Sequence, residues 1–227
     1  MAEYSTRSGF TSLEEHTASQ GRPALDRCCE KAGDSGRAIC ALKPDFLVID
    51  IPIGLVDCGS READLQARVL LGARGCCVFP APLRGMLACK THREACALGQ
   101  RINGKGISIQ SWGILPKIRE VDSHLTSADQ SRIREGHPEL SFALMNGGQA
   151  LTERKSTRAG RDARLRLLEQ HFPGIRDEVE KHRAFRADVI DAFAMLWTAR
   201  RFRDGLARAL PESQVHDSRG LAMQIWV

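Results

Sequence analysis

Residues 45–55 read Asp-Phe-Leu-Val-Ile-Asp-Ile-Pro-Ile-Gly-Leu and form the most apolar stretch of the chain. Residues 46–49 are four consecutive large hydrophobic side chains, which is typical of a strand buried on both faces of a sheet. Pro52 removes a ladder donor and Gly54 frees the backbone, so we expect the strand to end near Ile51. The stretch therefore predicts a sheet covered by helices, and hence an α/β fold.

Asp50 falls at the C-terminal end of this predicted strand. In open α/β sheets, ligands bind just outside the carboxyl ends of the strands. A carboxylate at that place is costly unless it is hydrated, paired or bound to a metal ion. Asp50 is therefore a candidate catalytic and metal-binding residue, and capping of the next turn is the alternative interpretation.

Composition sets broad limits on function. The 227 residues carry a formal net charge of +5, which permits a phosphate-bearing partner without requiring one. Aromatic content is 5%, with Tyr4 the single tyrosine, so a base-stacking platform is not expected. No apolar run approaches the roughly 18 residues of a membrane span, and the N-terminus does not read as a secretory signal.

The cysteines and the domain organisation add two expectations. Eight cysteines without a signal sequence predict reduced thiols and a cytoplasmic protein. Cys89, His92 and Cys96 share a helical face, where core packing is favoured over a zinc site. We expect an irregular or disordered tail over residues 1–22 and a single domain over residues 23–227.

Hydrophobic periodicity and the positions of Gly and Pro predict the remaining elements. We expect an extended segment over 74–79, a polar loop over 145–160, a terminal strand over 221–227, and helices over 23–31, 62–71, 86–98, 108–125, 161–171 and 184–210. The helix over 86–98 is expected to end at Gly99, and Ile114, Ile118, Val121 and Leu125 form the apolar stripe of the helix over 108–125.

Asp188 and Asp191 interrupt a segment that is otherwise apolar on every side of its helix. A helix of that kind is usually buried. Carboxylates three residues apart on a helix project together, and two like charges at close range favour a bound cation. Both residues are candidate catalytic and metal-binding groups. The alternative is a pair of N-terminal acids that the helix dipole stabilises in water.

Two further clusters are candidates. Glu135, His137 and Glu139 would point to one side of a strand, where they could ligate a cation or relay a proton, or form an exposed polar face. A basic run around a predicted helix entrance could bind an anion, or could be a solvated face. Its members are Lys155, Thr157, Arg158, Arg161 and Arg164.

Read in order, several segments resemble the family known as domain of unknown function 429. They are IDIPIGL (49–55), ARVLLGARGCCVF (67–79), GKGISIQSWGILPKIREVD (104–122), EGHPELSF (135–142), K-x-T-x-x-G-x-x-x-R-x-x-LL (155–168), DVIDAFA (188–194) and GLAMQIWV (220–227). Each motif alone is weak, but their order and spacing over residues 45–227 are specific.

The resemblance implies a ribonuclease-H-like mixed sheet flanked by helices and a predicted nuclease activity. It assigns Asp50 to a strand-borne acid and Asp188 and Asp191 to a pair on a late helix. Such acids bind Mg²⁺ or Mn²⁺ for phosphodiester hydrolysis. On the same basis Glu135 and Glu139 are candidate metal ligands, and His137, Lys155 and Arg164 are candidate substrate-binding residues.

One departure from the family pattern concerns the N-terminal part. The family begins with a strand carrying a Gly-Val-Asp-like motif, and residues 1–44 contain no apolar strand that ends in Asp. The fold is therefore expected to be N-terminally incomplete and the site to be one ligand short. Gly136 also stands where the family usually has an apolar residue.

Three functions follow as hypotheses. The first is a metal-dependent nuclease, intact or degenerate, that acts on nucleic acid. The second is a non-catalytic nucleic-acid-binding or scaffold protein, which the missing strand makes plausible. The third is a phosphotransferase of the actin or sugar-kinase type, which is less well supported because only Gly104/Gly106 and Gly147/Gly148 are available as phosphate loops.

Overall fold

The computed structural model describes residues 2–5, 12–15 and 45–227. Its strands are β1 (Ala2–Ser5), β2 (Ser12–Glu15), β3 (Leu47–Ile49), β4 (Ile133–Gly136), β5 (Ala209–Leu210) and β6 (Ile225–Trp226). Its helices are α1 (Glu62–Leu71), α2 (His92–Asn103), α3 (Ile109–His124), α4 (Pro138–Met145), α5 (Arg158–Glu169), α6 (Ile175–Lys181) and α7 (Arg186–Arg203).

A four-stranded mixed sheet lies at the centre of the domain. Its order is β3-β4-β6-β5, with β3, β4 and β6 parallel and β5 antiparallel to β6. The α/β prediction with a mixed sheet flanked by helices is therefore confirmed. In the predicted N-terminal tail, β1 pairs antiparallel with β2, and β2 lies against β3 and α7. The predicted helix over 23–31 lies outside the described residues.

Helices cover both faces of β3 because its side chains alternate between two cores. Val48 faces α7 in a cluster with residues of α4, α5 and α6. Leu47 and Ile49 face the other way and pack with α3. All three side chains of β3 are fully buried, as the sequence predicts for a strand covered on both faces.

The two long helices that cover this strand follow from their sequences. Residues 189–199 of α7 are all buried, which confirms the prediction for a helix apolar on every side. The Ser108 side chain accepts a hydrogen bond from Ser111 N–H and begins α3, whose predicted apolar stripe packs under β3. The helix over 184–210 was predicted too long, because α7 ends at Arg203 and Gly205 follows with φ +69°.

Three other local predictions are wrong. Residues 72–77 form a 3₁₀ helix rather than an extended segment. The helix predicted over 86–98 is instead α2, which begins after the capping side chain of Thr91 and ends at left-handed Gly104. Residues 135–139 do not continue one strand, because Pro138 occupies the first position of α4. Glu135 and Glu139 therefore belong to different elements.

The loop after β3 is held by carboxylates from distant segments. Ile53 N–H donates to Glu135 Oε2 at 2.7 Å, and Leu55 N–H donates to Asp217 Oδ2 at 3.0 Å. Asp217 also pairs with Arg84. Gly54 adopts φ +76° where the chain passes the carbonyl of Leu221. These contacts fix the backbone that immediately follows Asp50.

Candidate carboxylate and lysine site

Asp191 and Lys155 form an ion pair that interacts electrostatically with Asp50. Asp50 is the first residue after the strand, and Asp191 lies in the second turn of α7. Lys155 Nζ donates a hydrogen bond to Asp191 Oδ2 at 2.9 Å. The Asp191 side chain is 8% exposed, whereas that of Lys155 is 56% exposed. A buried carboxylate is therefore paired with a cation that reaches it from solvent.

The electrostatics join Asp50 to this pair. Burial raises the pKa of Asp50, against the opposing charges of His137 and Lys155. Burial also raises the pKa of Asp191 to about 6, against the attraction of Lys155. The negative charge of Asp50 contributes to the raised pKa of Asp191. The charge of Lys155 thus acts on both carboxylates, and that of His137 acts on Asp50 as well.

A rigid turn presents Lys155 to Asp191. Thr157 Oγ1 accepts from Gly160 N–H at 3.0 Å, which caps α5, and donates to the Arg154 carbonyl at 2.8 Å. A Cβ at position 160 would overlap the Arg154 carbonyl oxygen, so the close approach requires glycine. The Lys-x-Thr-x-x-Gly pattern of the sequence therefore builds the turn that carries the lysine.

Arg164 anchors the same turn from inside the protein. Its guanidinium forms a bidentate pair with Glu139, at 2.7 Å to each carboxylate oxygen, and is 1% exposed. It also donates to the carbonyl oxygens of Glu153 and Gly160. Arg164 was predicted to bind substrate and Glu139 to bind metal. The structure places them in a closed pair that ties α4, α5 and the Lys155 turn together.

Glu135 lies in a second closed pair. Its carboxylate accepts from Arg61 Nη2 at 2.6 Å, and the Arg61 side chain is fully buried. Burial raises the pKa of Glu135 to about 7, against the attraction of Arg61. Because the same carboxylate oxygen accepts Ile53 N–H, the pair also positions the loop after Asp50. Glu135, predicted as a metal ligand, is thus engaged on the α3 side of the sheet.

The other two predicted residues lie at the edges of this site. His137 lies in electrostatic range of Asp50, and its buried Nδ1 atom has no hydrogen-bond partner within the described residues. Asp188, one turn before Asp191, is partly exposed, and its charge acts on Lys117 of α3. The charge of Asp50 therefore acts on Asp191, whereas that of Asp188 acts on Lys117.

Gly136 brings the strand and the helix of the site close together. A Cβ at this position would overlap Val48 Cγ1 and lie 2.9 Å from Met195 Sδ. The apolar side chain expected here would push α7 away from β3. The glycine thus allows Asp191 on α7 to approach Asp50 at the end of β3.

The donor set fits a hard cation only in part. Carboxylate oxygens are the ligands that Mg²⁺ and Mn²⁺ prefer, and Asp50 and Asp191 supply them. In the described ranges, however, no group of three or more His, Cys, Asp or Glu side chains is arranged to hold a metal ion. Two carboxylates suit one cation, whereas a two-ion centre needs a larger cluster.

Sequence reasoning missed the residues that hold the site in place. Arg61 and Arg74 were not singled out, yet Arg61 pairs with Glu135 and Arg74 Nη2 lies 4.0 Å from Glu139. A signal for Arg61 existed in the polar turn before α1, where it stands three residues before Asp64. Its partner is 74 residues away, so the sequence alone could not identify the pair.

A separate cleft of about 580 Å³ lies between the 3₁₀ helix Arg84–Ala88 and α3. Its walls include Cys89, Trp112 and Arg119, and it contains none of the predicted site residues. The Arg119 guanidinium donates to the carbonyl oxygens of Leu87 and Cys89. This cleft therefore does not compete with the Asp50 site as a place for carboxylate chemistry.

Comparisons with known proteins give one match. The model of a family described as a protein of unknown function (DUF429) matches residues 19–216. No curated protein and no solved structure matches the chain. The match covers most of the chain and includes every residue of the site. In the part of the chain that the structure describes, no helix is long and apolar enough to cross a membrane.

Proposed function

The chain belongs to the DUF429 family, and we propose that it is a nuclease of the ribonuclease-H-like type that hydrolyses phosphodiester bonds at Asp50 and Asp191. One observation carries the proposal. Two carboxylates from a strand end and from a buried helix lie in one electrostatic unit, and each has a raised pKa. Perturbed pKa values cluster at functional sites, and acids at the carboxyl end of a strand are candidates of that kind.

The residues of the site have distinct roles in this proposal. Asp50 and Asp191 are the acids that would hold a divalent cation, with Asp191 enclosed on α7 and paired with Lys155. Lys155 carries its ammonium on a half-exposed side chain and binds a non-bridging phosphate oxygen. His137, whose charge acts on Asp50, is the proposed substrate contact beside that carboxylate.

Mg²⁺ or Mn²⁺ is the proposed cofactor, and Asp50 and Asp191 would hold it. When bound, such an ion polarises the phosphate and lowers the pKa of a water ligand. Glu135 and Glu139 act indirectly, since each is paired with a buried arginine that positions the loop after Asp50 or the Lys155 turn.

Nucleic acid is the proposed substrate, and the cytoplasm the proposed location. The net charge of +5 and the arginine-rich C-terminal turn of α7 favour a polyanion. Cys58, Cys76, Cys77, Cys89 and Cys96 are free thiols, which is typical of a reducing compartment.

The test compares wild type with Asp50→Asn and Asp191→Asn. Each protein is incubated with Mn²⁺ or Mg²⁺ and with single- and double-stranded DNA and RNA, with EDTA as the control. We expect cleavage by wild type and a loss of at least about 100-fold in each variant, because each removes one of the two carboxylates that would hold the cation. Cleavage that both variants retain would exclude this site.

Non-catalytic nucleic-acid binding is the second candidate, and the Lys155–Asp191 hydrogen bond favours it because the lysine already neutralises one carboxylate. In that case binding to nucleic acid weakens steeply with salt, and no product forms with either ion. The same incubations, followed by a gel-shift series from low to high salt, separate the two functions.

A further inference from the structure

Lys155 stands where a cation bound to Asp191 would have to stand. Its Nζ atom lies 2.9 Å from Asp191 Oδ2, within hydrogen-bond distance. The Asp191 side chain is otherwise enclosed, with 8% of its surface exposed. A second cation that approaches this oxygen therefore meets the ammonium group first.

We propose that the Lys155 ammonium competes with a divalent cation for the Asp191 carboxylate, so that the lysine lowers the cation affinity of the site. This inference rests on the proposed function, because it assumes that Asp50 and Asp191 form the cation site. It concerns a residue of this chain whose ammonium group already occupies the Asp191 oxygen.

The Lys155–Asp191 hydrogen bond can break without moving the backbone that carries the lysine. Lys155 makes one hydrogen bond to Asp191 from a side chain that is 56% exposed, so the ammonium group returns to water on release. The enclosed Asp191 carboxylate then needs another cation. The turn that carries it is held by Thr157, Gly160 and Arg164, none of which uses the ammonium group. The backbone can therefore stay in place while the side chain moves away.

The charge balance gives the direction of the effect. Glu139 is matched by Arg164, and the charge of Lys155 acts on both Asp50 and Asp191, whereas that of His137 acts on Asp50. Removing the lysine takes one positive charge from the site without removing a carboxylate. A divalent cation is then attracted more strongly and no longer has to displace an ammonium group.

Titration of the full chain with Mn²⁺ tests this directly, with isothermal calorimetry and the electron paramagnetic resonance signal of free Mn²⁺ as readouts. The variant is Lys155→Met, which keeps the length of the side chain and removes its charge. Arg158→Met is the matched control. It removes one positive charge from the same region, but Arg158 is 91% exposed and pairs with Asp162. Far-UV circular dichroism checks the fold of each protein.

We expect Lys155→Met to bind Mn²⁺ about tenfold more tightly than wild type, the low end of the effect of an opposite charge at this range on a carboxylate. Arg158→Met should match wild type within about twofold, because exposed charges are screened. Asp191→Asn should lose the binding.

The outcomes separate the inference from the proposed function. Equal or weaker Mn²⁺ binding by Lys155→Met, with binding by wild type intact and abolished in Asp191→Asn, overturns the competition and leaves the cation site standing. Absence of Mn²⁺ binding in wild type and in Lys155→Met alike removes the cation site, and the competition with it.

Discussion

Two ion pairs on neighbouring segments of this protein differ in their exposure to solvent. Arg164 and Glu139 are both almost fully buried and joined by a bidentate contact. Lys155 and Asp191 share one hydrogen bond, with the lysine 56% exposed. The closed pair can only hold elements together, because neither partner can leave. The open pair can exchange its cation, and this separates a structural ion pair from a candidate functional one.

The largest expected effect comes from breaking the closed pair. Arg164→Met leaves the buried Glu139 carboxylate without its bidentate partner and with Arg74 Nη2 at 4.0 Å, and it removes two hydrogen bonds to the Lys155 turn. We expect the free energy of unfolding to fall by about 3–5 kcal/mol, measured by urea denaturation. Arg158→Met, on an exposed pair, should change it by less than about 0.5 kcal/mol. Similar small losses in the free energy of unfolding of both variants would contradict the distinction between a closed, buried pair and an exposed one.

The Lys155–Asp191 pair should make the stability of the protein depend on pH. Burial raises the pKa of Asp191 to about 6, so folding takes up a proton between roughly pH 4 and pH 6. Wild type therefore loses stability over this window as the pH rises, and the loss is complete above pH 6. Relative to wild type, Asp191→Asn should gain about 2 kcal/mol between pH 4 and pH 7. The measurement is urea unfolding of both proteins at successive pH values. A difference in the free energy of unfolding that stays the same at every pH would refute the raised pKa of Asp191.

A smaller effect is expected where β3 and α7 touch. Gly136→Ala inserts a methyl group between Val48 and Met195 and should cost about 1–2 kcal/mol, since the methionine can partly give way. Because the insertion separates the elements that carry Asp50 and Asp191, it should also weaken Mn²⁺ binding.

Gly113→Ala is the matched control for Gly136 and carries the smallest expected change. Gly113 is exposed inside α3, and a Cβ there meets nothing within 4 Å. It should therefore raise the free energy of unfolding by about 0.5–1 kcal/mol through helix propensity. A loss of stability in Gly113→Ala, or no loss in Gly136→Ala, would contradict the close approach at β3 and α7.

Local patterns were sufficient for much of the fold. Four consecutive large hydrophobic residues gave the buried strand, and an all-apolar run gave the buried helix, because burial on every side leaves a direct mark in sequence. The segment around Pro138 was misread because proline fits both the end of a strand and the first position of a helix, and only the packing of α4 distinguishes them.

The sequence by itself determined that this protein is an α/β domain of the DUF429 family and that Asp50 follows a buried strand. Only the tertiary structure decided which basic side chain pairs with each carboxylate. Glu135 pairs with Arg61 across 74 positions, Asp191 with Lys155 across 36, and Glu139 with Arg164 across 25. The physical reason is that periodicity records which side of an element is buried, whereas a charge pair depends on how distant elements are packed against one another.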